Sequence, residues 1–214
     1  MFAIRASAAA LAVVLSGSTA NADTLSPPEA QRIASGETVY RAQVLERGNA
    51  HYVGGVAYSI VDSSSGEVAA IATDIRALRR LLPRTRDTRL VERRGSDSLV
   101  EITHGYGPFV ARYSVHLRHE GRVVRFWMDP SLPHDIEDAW GFFRADPTED
   151  GRTLVTYGVL FDMGDGLLRD LFETKVLAMA MTVPDRMRDL LSERRAMRAE
   201  NAWSHVDSHA HDRP

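Results

Sequence analysis

The chain has 214 residues, 44% of them hydrophobic, with 26 basic and 29 acidic side chains and no cysteine. The missing cysteine excludes a disulfide-stapled miniprotein, a thiolate metal site and a bacterial lipoprotein. The hydrophobic content excludes a disordered chain, and a net charge of −3 gives no general attraction to nucleic acid. A chain of this length can fold as one domain or two small ones with a sizeable core.

Residues 1–22 have the composition of a secretory signal peptide. Arg5 supplies a positive charge, a short apolar run follows, and Ala20-Asn21-Ala22 fits an A-x-A cleavage site. The alternative is an uncleaved membrane anchor, but the apolar run is about half of the ~20 residues that a helical span needs. We therefore expect cleavage after Ala22 and a periplasmic or secreted protein of 192 residues (214 − 22).

The segment 23–51 is predicted to be a leader, with a short helix near Glu29 and a weak strand between residues 37 and 47. Residues 52–61 are typical of a strand, in which the Gly54-Gly55 pair allows a bulge or a close backbone approach. Apolar residues at helical spacing follow, and Asp74 is expected to divide them into two short helices that end at Pro83.

After Pro83 the apolar period changes to two, and short turn-like separators predict antiparallel hairpins. A long helix then runs to about Arg198, and Pro184 inside it predicts a kink. Residues 199–214 form a polar, histidine-rich tail that we expect to be disordered. The six strands between Pro83 and the helix are predicted at 84–93, 99–104, 109–118, 122–129, 138–145 and 153–162.

This order of elements predicts an α+β fold. A curved antiparallel sheet would wrap around the long C-terminal helix, with two short helices after the first strand, because this arrangement buries the apolar stripe of the helix. Such a grip readily leaves a cavity between the helix and the concave face of the sheet.

Several short motifs occur in a fixed order between residues 52 and 198. They are Leu82-Pro83, Asp129-Pro130, Gly141-x-Phe143-x-x-x-Pro147, Gly151-Arg152-Thr153-x-x-x-Tyr157 and Val183-Pro184. In their order and spacing they resemble the START-like (SRPBCC) helix-grip superfamily, and within it the polyketide-cyclase and coenzyme Q-binding branch. The resemblance implies a helix-grip domain over residues 52–198 that binds a hydrophobic molecule.

Strand alternation predicts which side chains face the helix. The predicted lining is apolar, with polar fixing points at His104, Tyr113 and Tyr157. A filled core is the alternative, because aromatic and methionine side chains at such positions more often pack than bind. The predicted lining consists of His104, Ala111, Tyr113, Val115, Phe126, Met128, Phe143, Tyr157, Phe161, Phe172, Val176 and Met179.

The sequence contains no catalytic or metal-binding motif that assigns a role to a residue. There is no cysteine nucleophile and no G-x-S-x-G elbow, and Gly105-x-Gly107 lacks the third glycine of a phosphate loop. His104 is the best inward candidate for acid–base work, although a structural histidine is the more frequent role. His116 and His119 would point to opposite faces, and the tail histidines lack a rigid support. We therefore assign no catalytic residue, no metal ligand and no cofactor.

Eight arginines are concentrated between residues 76 and 94, opposed there only by Asp87 and Glu92. Alternatively, these arginines have no binding function and belong to a solvated helix and to an edge strand that they keep soluble. Stacking aromatic residues are not interleaved with them, which argues against nucleic acid. The candidates for docking on anionic lipid headgroups are Arg76, Arg79, Arg80, Arg84 and Arg86.

Together these patterns favour an exported monomer that binds a lipid, an isoprenoid quinone or a similar hydrophobic molecule without a cofactor. Two alternatives stay open. One is a cyclase, dehydratase or hydrolase acting on a hydrophobic substrate in the same cavity, with His104 paired to Tyr113 or Tyr157. The other is an interaction module with a filled core.

Overall fold

The computed structural model describes residues 25–107, 109–164 and 167–210, apart from the side chains of 106, 167–173 and 201–210. The predicted signal peptide, residues 1–22, and its cleavage site lie outside the described residues.

Helices and strands follow one another in the order that the sequence predicts. The first half contains α1 (Pro27–Ala34), β1 (Val39–Arg47), β2 (Ala50–Val61), α2 (Ser65–Thr73) and α3 (Ile75–Leu81). The second half contains β3 (Thr85–Arg94), β4 (Asp97–Tyr106), β5 (Phe109–Glu120), β6 (Val123–Met128), β7 (Asp138–Pro147), β8 (Thr153–Asp162), α4 (Leu167–Ala180) and α5 (Val183–Ala210).

The eight strands form one sheet with the order β1-β2-β8-β7-β6-β5-β4-β3, in which all pairings are antiparallel. Three helices pack on the inner face: α5 lies against β2 and β8, α2 against β5, β6 and β7, and α3 against β3. The strands from β3 to β8 follow the predicted hairpins. The α+β helix-grip prediction is confirmed.

β1 belongs to the sheet, although the sequence placed its residues in a leader. It pairs with β2 along its whole length, from Val39 opposite Tyr58 to Arg47 opposite Ala50. The sheet therefore begins before residue 52, which was the predicted start of the domain. The pattern was weak because β1 is an edge strand whose side chains are mostly exposed.

The N-terminal helix α1 covers the outer face of the sheet. Its Ile33 packs with Val39 and Tyr58 in a second, small core, with Leu25 and Leu154 at its margin. The helix starts with a capping box between Ser26 and Glu29.

Capping side chains set the two short helices between β2 and β3. Ser64 and Glu67 form a capping box at the start of α2. The Asp74 carboxylate then accepts hydrogen bonds from the backbone nitrogens of Arg76 (3.0 Å) and Ala77 (3.4 Å) at the start of α3. Asp74 therefore ends one helix and begins the next, as predicted.

The C-terminal helical region consists of two helices rather than one kinked helix. α4 ends at Ala180, and α5 begins at Val183 with Pro184 in its first turn. Proline lacks the N–H that would continue the hydrogen-bond ladder, so the chain turns at this point. The backbone of α5 continues to Ala210, beyond the predicted end near Arg198 and into the segment expected to be disordered. No glycine or proline lies between Pro184 and Ala210, so nothing in the sequence stops the helix.

The main core lies between the sheet and the helices. α5 contributes Val183, Met187, Leu190 and Leu191, which pack with the inward side chains of β2 and β4 to β8. The predicted apolar stripe of the helix is therefore buried along the first half of α5.

Candidate functional site

The predicted lining residues separate into two groups. Half-buried members lie on β4, β5, β6 and α4 and keep accessible surface: His104, Ala111, Tyr113, Phe126 and Val176. Buried members of the core cluster are Val115, Met128, Phe143, Tyr157 and Phe161.

Two residues on α4 complete the predicted set. Met179 is half-buried but does not belong to the core cluster, whereas Val176, Leu177 and Ala180 pack against that cluster. The side chain of Phe172 lies outside the described residues. Leu177 and Ala180 were missed by the sequence analysis, because the helix rotation depends on the break before α5.

His104 and Tyr113 form the polar centre of the inner face. Nε2 of His104 lies 2.9 Å from the Tyr113 hydroxyl, and the two rings stack with centroids 5.6 Å apart. Nδ1 of His104 lies 3.1 Å from the carbonyl oxygen of Pro83 and 3.3 Å from Oγ1 of Thr85. Because a carbonyl can only accept, Nδ1 carries the hydrogen, and the neutral ring accepts from Tyr113 at Nε2.

The partners Pro83 and Thr85 were not predicted. Thr85 lies opposite His104 in the β3–β4 register, and Pro83 lies two residues before the start of β3. The sequence analysis identified Leu82-Pro83 as a motif and Pro83 as the end of the helix pair, but only the strand register shows that the Pro83 carbonyl reaches the imidazole of His104.

Tyr113 and His104 keep accessible surface on the inner face of the sheet. Burial raises the pKa of the Tyr113 hydroxyl well above its usual value and lowers the pKa of the His104 imidazole. Both side chains are thus closely surrounded by protein, and yet both keep accessible surface. Both side chains are therefore only partly covered on the inner face.

An aromatic group extends this surface toward the middle of the sheet. The Tyr157 ring lies 4.7 Å from that of Phe143 and 6.3 Å from that of Phe126, measured between centroids. Phe126 lies opposite Gly141 in the β6–β7 register, and the missing side chain at Gly141 leaves room for its ring. Burial raises the pKa of the Tyr157 hydroxyl, and the nearby Tyr113 contributes.

The backbone of α4 lies closest to the sheet at β2. In the described part of the chain no comparable approach to β4, β5 or β6 occurs. The half-buried side chains of Tyr113 and Phe126 lie on these strands. We name the surface formed by His104, Ala111, Tyr113, Phe126 and Tyr157 the inner aromatic surface.

The predicted arginine cluster is divided by the fold. Arg76, Arg79 and Arg80 lie on α3, where Arg80 pairs with Glu193 at 2.5 Å. The other five arginines of the cluster lie on β3 or just before it, and β3 is an edge strand. The structure thus agrees with an arginine-rich edge, one of the two roles considered for this cluster.

Two arginines lie at the β4–β5 hairpin, close to the inner aromatic surface. Arg86 donates a hydrogen bond to the Gly107 carbonyl at 2.9 Å, and the Arg84 carbonyl accepts from the Gly105 nitrogen at 2.9 Å. Phe109 and Val110, just after the turn, are 45% and 49% exposed. We name Arg84, Arg86, Phe109 and Val110 the hairpin surface.

Two surface clefts lie away from the inner aromatic surface. One, of about 140 Å³, is formed by α2 and α5, and its arginines are engaged: Arg194 pairs with Asp74 at 2.8 Å and Arg198 with Glu67 at 2.5 Å. The other, of about 370 Å³, lies between α2 and the β5–β6 turn. Neither contains a concentration of apolar side chains typical of a ligand pocket.

Histidine and carboxylate side chains do not converge on a metal position anywhere in the described residues. His116 hydrogen-bonds Asp129 at 3.1 Å, whereas His119 hydrogen-bonds the Gly121 carbonyl at 2.9 Å, so they have different partners. The tail side chains His205, His209 and His211 lie outside the described residues. Within the described chain, no helix is both long and apolar enough to span a bilayer.

Solved structures share the fold. A STAR-related lipid transfer protein from Xanthomonas axonopodis superposes with a TM-score of 0.57 at 15% identity, over 72% of this chain and 98% of its own. A protein from Thermus thermophilus gives 0.54 at 16% identity, over 65% and 94%. A START superfamily protein from Mycobacterium smegmatis gives 0.53 at 10% identity, over 64% and 96%.

Sequence comparison adds no closer relative, since no protein-family model and no curated protein sequence matches this chain. The sheet order, the inner helices and the superpositions agree with one another. The chain has the START-like helix-grip fold.

Proposed function

We propose that this protein binds a hydrophobic small molecule, a lipid or an isoprenoid quinone, between α4 and the inner aromatic surface. The observation that carries the proposal is the accessible surface that Tyr113 keeps although protein atoms closely surround it. A surface rich in aromatic groups with few polar atoms is typical of a site for an apolar ligand.

Desolvation would drive the binding. Each Å² of apolar ligand surface taken from water contributes about 25 cal/mol, from which the cost of ordering the ligand and α4 is subtracted. Support also comes from the fold, because one solved structure that shares it is named a lipid transfer protein.

Native mass spectrometry of the purified protein tests the proposal. We expect an additional mass that gentle activation removes and that appears in a lipid extract. Ala111, which lies opposite His104 in the β4–β5 register, provides a matched pair of variants. Ala111→Trp should lower the occupied fraction, whereas Arg112→Trp, on the other face of the same strand, should leave it unchanged. Finding only the unloaded mass in gentle conditions would contradict the proposal.

The second candidate function is an enzyme acting on a hydrophobic substrate at the same surface, and the His104–Tyr113 hydrogen bond favours it. As the phenol oxygen took a proton from a substrate, the phenol hydrogen would pass to Nε2 of His104, so the pair would act as a general base. Hydrolysis of an apolar ester such as p-nitrophenyl laurate tests this. A pH-dependent rate that His104→Ala abolishes would support the enzyme, and a rate unaffected by that change would contradict it.

The third candidate, an interaction module with a filled core, is separated from the other two by a dye titration. Saturable fluorescence of the neutral dye Nile red indicates a cavity. A response that never saturates indicates a filled core.

Export is part of the proposal. The basis is the signal-peptide pattern of residues 1–22, which ends in the cleavage site Ala20-Asn21-Ala22. Expression of the full chain in a bacterium should yield a periplasmic protein whose first residue is Asp23. A cytoplasmic protein that retains residues 1–22 would contradict export.

We also propose transient contact with an anionic membrane, and the hairpin surface is the candidate site of this contact. Arg84 and Arg86 supply positive charge, and Phe109 and Val110 supply exposed apolar side chains beside them. Guanidinium groups next to exposed apolar side chains fit the interface of an anionic bilayer. Such contact would bring the inner aromatic surface close to the lipid phase.

A further inference from the structure

The Tyr157 hydroxyl is a buried hydrogen-bond donor without a protein partner. Tyr157 is 3% exposed in the middle of β8, and among the described residues its hydroxyl makes no hydrogen bond. Some fully enclosed side-chain atoms lack a hydrogen-bond partner, for example Oγ1 of Thr156. The hydroxyl oxygen of Tyr157 is not one of these enclosed atoms. The hydroxyl therefore keeps a small accessible surface of its own. A buried donor left unmatched costs about 1–3 kcal/mol, so a bound group that accepts from it is favoured.

The neighbouring polar groups do not serve Tyr157. The Tyr113 hydroxyl donates to His104, and although its oxygen could also accept, no hydrogen bond joins it to Tyr157 in the described residues. The remaining neighbours of the Tyr157 ring are the rings of Phe143 and Phe126. Among the described side chains, none accepts a hydrogen bond from Tyr157, so a bound molecule that reaches this hydroxyl can supply the acceptor.

The inner aromatic surface is uncharged. Burial is the main cause of the pKa shifts of His104, Tyr113 and Tyr157, and the neighbouring Tyr113 adds to the shift of Tyr157. No carboxylate or guanidinium group of the described residues contributes to these shifts. An anion placed there would lose its hydration without gaining a countercharge, which is strongly unfavourable. A neutral acceptor loses far less hydration free energy when it is buried there.

We propose that the ligand carries a neutral oxygen acceptor of the carbonyl class, such as an ester, a ketone or a quinone, and that the Tyr157 hydroxyl donates to it. A free carboxylate or a phosphate is excluded from this position. The inference rests on the proposed ligand-binding function, to which it adds the chemistry of the ligand's polar group.

Three probes with the same alkyl chain test the inference: methyl laurate, lauric acid and dodecane. Each is titrated against protein loaded with Nile red at neutral pH. We expect methyl laurate to displace the dye at lower concentration than either of the others. Tyr157→Phe should remove the advantage of methyl laurate over dodecane, a loss of roughly 2- to 12-fold for one neutral hydrogen bond. Dodecane binding should not change, and Tyr40→Phe, at a 62% exposed position on β1, should behave as the wild type.

The outcomes separate this inference from the proposed function. If methyl laurate and dodecane bind equally to the wild type, or if lauric acid binds most tightly, the inference is wrong while ligand binding stands. If no probe displaces the dye and no lipid co-purifies, the proposed function itself fails. The ranking of the three probes on the wild type decides the inference even if the Tyr157→Phe variant does not fold.

Discussion

The Tyr113 hydroxyl donates a hydrogen bond of 2.9 Å to Nε2 of His104, and the Pro83 carbonyl fixes the opposite nitrogen of the same ring. The pair links β4, β5 and the turn before β3. It also fixes the tautomer of the imidazole, since Nδ1 must donate to the carbonyl. The ring is therefore held neutral in a position where a charge would be poorly solvated.

The first prediction is a dependence of stability on pH that arises from His104. Burial lowers the pKa of His104 in the folded protein, whereas an unfolded histidine titrates near 6.5. As the pH falls below about 6.5, the unfolded chain takes up this proton more readily than the folded one. The free energy of unfolding should therefore fall as the pH decreases toward the folded pKa.

Urea unfolding of the wild type and of His104→Gln between pH values of about 7 and 5 measures this contribution. The variant should lose less stability than the wild type over that interval. His119→Gln, at an exposed position on β5, should keep the slope of the wild type. Equal slopes in the wild type and His104→Gln would show that His104 does not supply the effect.

The sequence predicted the strands well because the turn-like separators between them are short. The prediction for 153–162 coincides with β8, and the prediction for 109–118 differs from β5 only by the two residues that end it. β1 was ambiguous for a physical reason. Its sequence shows neither its partner β2 nor the helix α1 that covers one of its faces.

The candidate site could be predicted only in part. Alternation placed His104 and Tyr113 on the inner face, but it could not distinguish them from packed neighbours such as Val115. That distinction depends on how far α4 extends over β4 to β6. The extent of α4 follows from the break before α5, which the sequence interpretation treated as a kink at Pro184.

The second prediction concerns the close approach at Gly141 in β7. A Cβ added there would collide with the Gly158 carbonyl and with the Phe126 ring, and the carbonyl belongs to the paired backbone of β8. Gly141→Ala should lower the free energy of unfolding by about 1–3 kcal/mol, the usual effect of overpacking. Gly66→Ala is the matched control, because no atom lies within 4 Å of its added Cβ and alanine favours the helix α2. Unfolding in urea measures both, and equal stability of the two variants would refute the steric argument.

The third prediction concerns the attachment of α5 to β2. Arg188 donates to the hydroxyl of Ser59, which is fully buried, and to the Asp185 carboxylate at 3.0 Å. Arg188→Met would leave the Ser59 hydroxyl without this donor, and we expect a loss of about 1–3 kcal/mol. Arg195→Met removes an exposed ion pair with Asp62 and should cost less than about 1 kcal/mol. Thermal unfolding of both variants tests the difference, and a larger loss for Arg195→Met would contradict it.

The fourth prediction tests which end of β3 contacts a membrane. Arg84 and Arg86 lie at the β4–β5 hairpin, whereas Arg93 and Arg94 lie at the other end of the strand, next to Asp97. Vesicles that contain phosphatidylglycerol should sediment more protein than vesicles of phosphatidylcholine alone. Each arginine near an anionic surface contributes about 1 kcal/mol, so replacing Arg84 and Arg86 with serine should reduce partitioning roughly 30-fold. The same change at Arg93 and Arg94 alters the net charge equally but should have a much smaller effect. Equal losses in the two double variants would mean that general charge, and not the hairpin surface, governs binding.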